Sequence, residues 1–159
     1  MIINGNTELI VHLGYPTHAF KAPMIYNPWF EKAGVNAVVV PMGSKPEDFP
    51  AFLRSVFKLS NIRGALITMP HKVTTTTLVD ELSPTAQIAG ACNAVRLGPQ
   101  GQLQGDMFDG EGFRDGLERA EPSALAGAGD GLCLAGLLWR AAGLHRPRRH
   151  HSADELAAA

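Results

Sequence analysis

The residue in this sequence with the most chemistry to explain is Lys72. It closes the stretch RGALITMPHK, in which Ala65, Leu66 and Ile67 follow a glycine and Pro70 comes three residues later. A short apolar run of this kind is the pattern of a strand covered on both faces, and a proline turns the chain out of it. Thr68, His71 and Lys72 therefore gather at the carboxyl end of a strand, where open α/β sheets bind their ligands. A helical stretch follows at once. An ammonium near a helix amino terminus meets the positive end of the dipole, which disfavours its charged form and makes Lys72 a candidate proton donor near neutral pH. The competing reading is a solvated loop lysine. A second set of candidates lies in GDMFDGEGF, where Asp106 and Asp109, beside Gly105 and Gly110, sit in a loop ahead of the helical FRDGLERA.

The elements that must position these groups alternate along the chain. LIVHL (Leu9 to Leu13) reads as a first buried strand ending at Gly14 and Pro16. MIYNPWFEKAG reads as a helix in which Met24, Trp29 and Phe30 share a face, with Pro28 inside it. NAVVV is a second strand by its β-branched content. SKPEDFPAFLRSVFKLSN takes Ser44 as a cap and repeats Phe49, Phe52, Leu53 and Val56 at helical spacing. ALIT is the third strand, and HKVTTTTLVDEL continues with an irregular start, because threonines are poor helix formers, while Leu78 and Leu82 pack inward. SPTAQIAGA is a short helix capped by Ser83 and ending near Gly90. CNAVRL and Gln102 to Gln104 flank GPQG as two antiparallel strands. Strand and helix in alternation predict an α/β three-layer sandwich with a mostly parallel sheet plus a β-hairpin.

With 159 residues the chain is one domain, or one and part of a second. Its 45% hydrophobic and 18% charged residues are those of a globular protein. A net charge of -1 argues against a nucleic-acid surface, which needs a concentrated positive field. Cys92 and Cys133 lack CxxC spacing, so they read as buried thiols, not as a disulfide framework or a metal site. No apolar stretch is long enough to span a bilayer and the start does not resemble a signal peptide, so a cytoplasmic protein is expected.

After Glu121 the texture changes. GAGDGL, carrying Gly127 and Gly129, is close to a phosphate-cradling loop and precedes an apolar segment, but Leu132 replaces the third glycine. The stretch reads either as an incomplete Rossmann-like segment or as a flexible linker. HRPRRHH reads as a solvated tail. GLLWRAA must pack on the first domain, stay partly exposed, or pair with another chain, which would give a homodimer.

Taken together, ITMPHK, GACNAV and GDMFDG resemble, in order and spacing, the amino-terminal substrate-binding domain of the shikimate dehydrogenase family. The resemblance covers about residues 9–120, and it implies a substrate-binding domain over 1–120 and a truncated or aberrant start of an NAD(P)-binding domain over 121–159. It implies that Lys72 and Asp109 form the catalytic pair, that Asn93 binds a substrate hydroxyl, and that Thr68 belongs to the same site. It also implies NADP or NAD as cofactor, held by Gly127 and Gly129, and a small hydroxy acid as partner. Three positions depart from the family pattern. Phe20 and Ala22 stand where the family has two carboxylate-binding serines, and Leu66 stands where it has an asparagine for a ring hydroxyl. Each lost partner costs a buried polar substrate group about 1 to 3 kcal/mol, enough to change substrate preference. The expected activity is interconversion of a shikimate- or quinate-like hydroxy acid and its 3-dehydro ketone, with a less polar ligand end near Phe20. The alternative is a module that binds small molecules without a redox step, or an inactive truncated product.

Overall fold

In a computed structural model of the chain, residues 2–113 are described. Residues 121–159, with Gly127, Gly129, Cys133, GLLWRAA and the arginine and histidine run, lie outside them. The alternation predicted from sequence is present. Strand β1 (Glu8–Gly14) leads through a single 3-10 turn (Thr17–Ala19) into helix α1 (Ala22–Lys32) and strand β2 (Ala37–Gly43). Helix α2 (Phe49–Val56) carries the chain to β3 (Ile62–Ile67), and α3 (Lys72–Thr75) follows. A two-residue strand β4 (Glu81–Leu82), helix α4 (Pro84–Ala89), β5 (Ala94–Leu97) and β6 (Leu103–Asp106) complete the sheet, and residues 109–113 begin another helix.

The six strands run in the order β2-β1-β3-β5-β6-β4. β1 pairs in parallel with both β2 and β3, whereas β5 is antiparallel to β3 and to β6. The chain thus moves outward from β1 to β2 and then back across β1 to β3. With one handedness for both crossovers, that reversal puts α1 and α2 on opposite faces. The cores follow suit. Ala22, Tyr26 and Phe30 of α1 pack on Ile10, Val39 and Leu66 of one face, and Phe49, Leu53 and Val56 of α2 pack on Val11, Leu13, Ala65 and Ile67 of the other.

Four local expectations change. In α1 the buried stripe is Ala22, Tyr26 and Phe30, spaced by four, while Met24 is 72% exposed. Met24 lies two positions from Ala22 and from Tyr26, so it points away from the stripe. Ser44 does not cap α2: the helix starts at Phe49 after a turn, and Ser44 is buried under β2's end. Phe52 sits at the exposed edge of α2, leaving Leu53 as the residue facing the sheet. β4 was not legible at all, being two residues long. It exists because β6 offers it a parallel partner at Gln104 and Gly105. Ser83 does cap α4, accepting the Ala86 N–H at 3.1 Å, and Gly90 ends that helix at φ 60°, as the glycine suggested.

Edge strand β2 is held by a side chain. Asn27 of α1 accepts the Val39 N–H at 2.7 Å and donates to the Val39 carbonyl at 3.1 Å, so it satisfies the outward backbone groups as a further strand would. The burial difference within α2 gives a direct test. Leu53→Ala should lower stability in urea unfolding by about 2 to 5 kcal/mol, and Phe52→Ala by less than about 1 kcal/mol.

Candidate active site

The carboxyl ends of β1 and β3 lie side by side, and from them the chain departs in opposite directions, toward β2 and toward β5. That is the switch point at which open sheets form a ligand crevice. The ends approach closely because of Gly14. A Cβ there would collide with Thr68 Cγ2 and come within 2.8 Å of the Met69 carbonyl oxygen, which no side chain could tolerate. The Tyr15 N–H donates to Met69 O at 3.0 Å and the Thr68 N–H to Leu13 O at 2.8 Å, fixing the two loops together.

Three polar side chains meet at this edge. The Lys72 ammonium lies 2.5 Å from one Asp109 oxygen, and the Asn93 amide donates to the other at 2.5 Å. Asn93 is 4% exposed and is itself held on all sides. Its carbonyl accepts the Ile67 N–H at 2.8 Å, its N–H donates to Asp106 O at 3.0 Å, and its side-chain oxygen accepts the Phe108 N–H at 3.0 Å. The backbone of residue 93 thereby spans β3 and β6, while its amide orients the peptide that delivers Asp109. The Cys92 N–H donates to Lys72 O at 2.9 Å, so the lysine's own backbone is tied to the same segment. Lys72 and Asp109 side chains are 29% and 30% exposed, open enough to meet a ligand.

The other sequence candidates divide. Thr68 is partly buried at the mouth, with its methyl against Gly14. Phe20 is partly buried and packs at a tilt against His12, centroids 4.2 Å apart. Ala22 is only 1% exposed within the α1 cluster, so it offers a ligand no surface, and Leu66 is 4% exposed in the same layer. His71 does not join the site. It is 1% exposed, stacks flat on Phe49 at 3.9 Å and contacts the Ser44 carbonyl through Nε2 at 2.8 Å, on the α2 side of the sheet. Asp106 is not a loop residue but the last of β6, bonded to Ser83 and to the Met107 N–H. The dipole argument for Lys72 also changes, since α3 is only four residues long and what the ammonium meets is a carboxylate.

Sequence reasoning passed over His12, which it read only as part of an apolar strand. The ring is 7% exposed, and burial first, then the Lys72 charge, lower its pKa from 6.5 to about 4. The sign follows directly. A folded value below the unfolded one leaves stability intact above about pH 6.5 and removes it as pH falls toward 4. Of the acid destabilisation between those limits, up to about 3 kcal/mol belongs to this ring. Melting curves of wild type and His12→Asn should accordingly converge as pH falls from 6.5 to 4, and parallel curves would exclude His12 as the source. At fixed pH 7, Asn93→Ala should cost about 1 to 3 kcal/mol in urea unfolding, because it strands the buried Phe108 N–H and one Asp109 oxygen.

Comparison with known proteins agrees with this geometry. Residues 13–95 match the model of the shikimate dehydrogenase substrate binding domain. A shikimate dehydrogenase (NADP(+)) of Gluconobacter oxydans is 36% identical over 79% of this chain and 44% of its own length. That of Rubrobacter xylanophilus is 36% identical over 92% of this chain and 53% of its own. A shikimate 5-dehydrogenase from Listeria monocytogenes, solved in complex with shikimate and NAD, superposes with a TM-score of 0.68 at 30% identity, covering 73% of this chain and 39% of that one. The chain spans about half the length of the curated relatives it matches. The chain belongs to the shikimate dehydrogenase family through its substrate-binding domain.

Proposed function

We propose that this chain supplies the substrate-binding part of an NADP-dependent oxidoreductase that interconverts a small cyclic hydroxy acid, shikimate- or quinate-like, and its ketone. The observation that carries the reading is the contact of Lys72 with Asp109, braced by Asn93, at the strand-end crevice. A ketone oxygen lying against the Lys72 ammonium can take a proton from Nζ as a hydride reaches its carbon, and in the oxidative direction the alcohol returns its proton to the neutral amine as the carbonyl forms. Asp109 sets the direction of the lysine side chain and offers a carboxylate oxygen to a ligand hydroxyl. A nicotinamide would take up the hydride. Gly127 and Gly129, the candidates for holding the nucleotide, lie outside the described residues, so the described ones account for binding and for the proton only.

The polarity of the crevice refines the substrate. Phe20 places an aromatic ring, and Ala22 only core surface, where hydroxyl donors would be needed to grip a carboxylate. Shikimate should therefore bind this chain weakly, and calorimetry showing tight shikimate binding would contradict the assignment of those two positions. For the reaction, the chain is joined to the nucleotide domain of the Rubrobacter relative and assayed with quinate and NADP. Lys72→Ala in that fusion should lower kcat by about a hundredfold or more, with Tm unchanged, as removal of a proton-transfer group does. Unchanged turnover would remove Lys72 from the chemistry.

A further inference from the structure

His12 is the polar side chain least accounted for by the fold. It lies on β1 opposite Leu66 of β3, two residues before the glycine that brings the two strand ends together. Neighbours in register on parallel strands share a face at about 4.8 Å, so the imidazole stands beside the Leu66 side chain, which carries no polar atom. Its ring packs against Phe20, tilted by 35° with centroids 4.2 Å apart, and it is close enough to Lys72 for the ammonium to act on it. Yet its Nδ1 is buried and has no hydrogen-bond partner, the only buried side-chain nitrogen or oxygen in that condition among the described residues. Buried polar groups are otherwise paired, because leaving one unpaired sacrifices its hydration for nothing. A phenylalanine or leucine would fill the space without that cost.

We infer that His12 is a specificity-determining residue whose Nδ1 takes up a ring hydroxyl of the ligand, adjacent to the hydroxyl that reacts at Lys72. This rests on the function proposed above and narrows it to a substrate with neighbouring hydroxyls. A hydroxyl both donates and accepts, so it satisfies either tautomer of the neutral ring. The ring stays neutral at pH 7, since burial and the Lys72 charge oppose its protonation. A carboxylate would favour an imidazolium, which those two forces resist. Phe20, partly buried beside the ring, is the apolar wall on that side of the imidazole.

The test uses the whole chain and two probes that differ by one hydroxyl, quinate and a deoxyquinate lacking the ring hydroxyl beside the one that reacts. Wild type should prefer quinate by about tenfold, the worth of one hydrogen bond. His12→Phe should erase that preference while leaving affinity for the deoxy probe unchanged, and His12→Asn, which keeps a polar atom near Nδ1, should retain most of it. In wild type, quinate should shift the His12 Nδ1 signal in ring-nitrogen NMR and leave His71 in place, a readout independent of whether a variant folds. An unchanged preference in His12→Phe, or a still Nδ1 signal with quinate bound, overturns the inference and leaves the Lys72 and Asp109 reading standing. If neither probe binds wild type even at millimolar concentration, both readings fail. If both bind Asp109→Asn as tightly as wild type while His12→Phe behaves as expected, only the earlier one does.

Discussion

Asp109 serves two partners at once, the Lys72 ammonium on one oxygen and the Asn93 amide on the other. The site depends on this arrangement because its three members come from separate segments: the turn after β3, the entry to β5, and the helix start after β6. Nothing local in the chain would bring them together. Stability does not explain the contact. With both side chains nearly one-third exposed, an ion pair of this kind contributes about 1 kcal/mol or less after screening and side-chain ordering. What fixes it is the backbone of Asn93, bonded to β3 through its carbonyl and to β6 through its N–H, so that the amide reaching for Asp109 is anchored in the sheet itself.

The sheet also sorts neighbouring residues into different tasks. His71 and Lys72 are adjacent, yet one is stacked against Phe49 beneath the α2 layer and the other faces the crevice. A strand end that turns at once into helix makes such a division available, since successive residues there diverge by about 100°. His71 is then a buried strut, joining α2, the Ser44 carbonyl and the start of α3. Cys92 belongs with it, fully buried, its thiol pushed up to about 11 chiefly by burial, which leaves it a packing residue.

Across the crevice the polar and apolar contributions are uneven. Lys72, Asp109 and Asn93 supply charge and hydrogen bonds on the β5 and β6 side, whereas Phe20 supplies hydrocarbon beyond the end of β1 and Ala22 and Leu66 stay buried in the α1 layer. His12 is the exception in the second group. Under the proposed function such a division would hold one end of a ligand by directed bonds and select the other by shape.

Much of this was determined by sequence. The β-branched and apolar runs marked β1, β2 and β3, the serine and glycine marked α4, and GPQG marked the hairpin, because each rests on local propensity and turn chemistry. The three motifs in register marked Lys72, Asn93 and Asp109 through their resemblance to one family. Tertiary structure decided the rest. β4 has no propensity of its own and exists only as a partner to β6. Tyr26, not Met24, faces the core because the angle of α1 is set by Asn27 gripping β2. His71 leaves the site because the chain turns into α3 at that residue, and His12 comes to lie beside Leu66 and Phe20 because the face a strand residue occupies is fixed by pairing with strands far away in sequence, so its partners cannot be counted until those strands are in place.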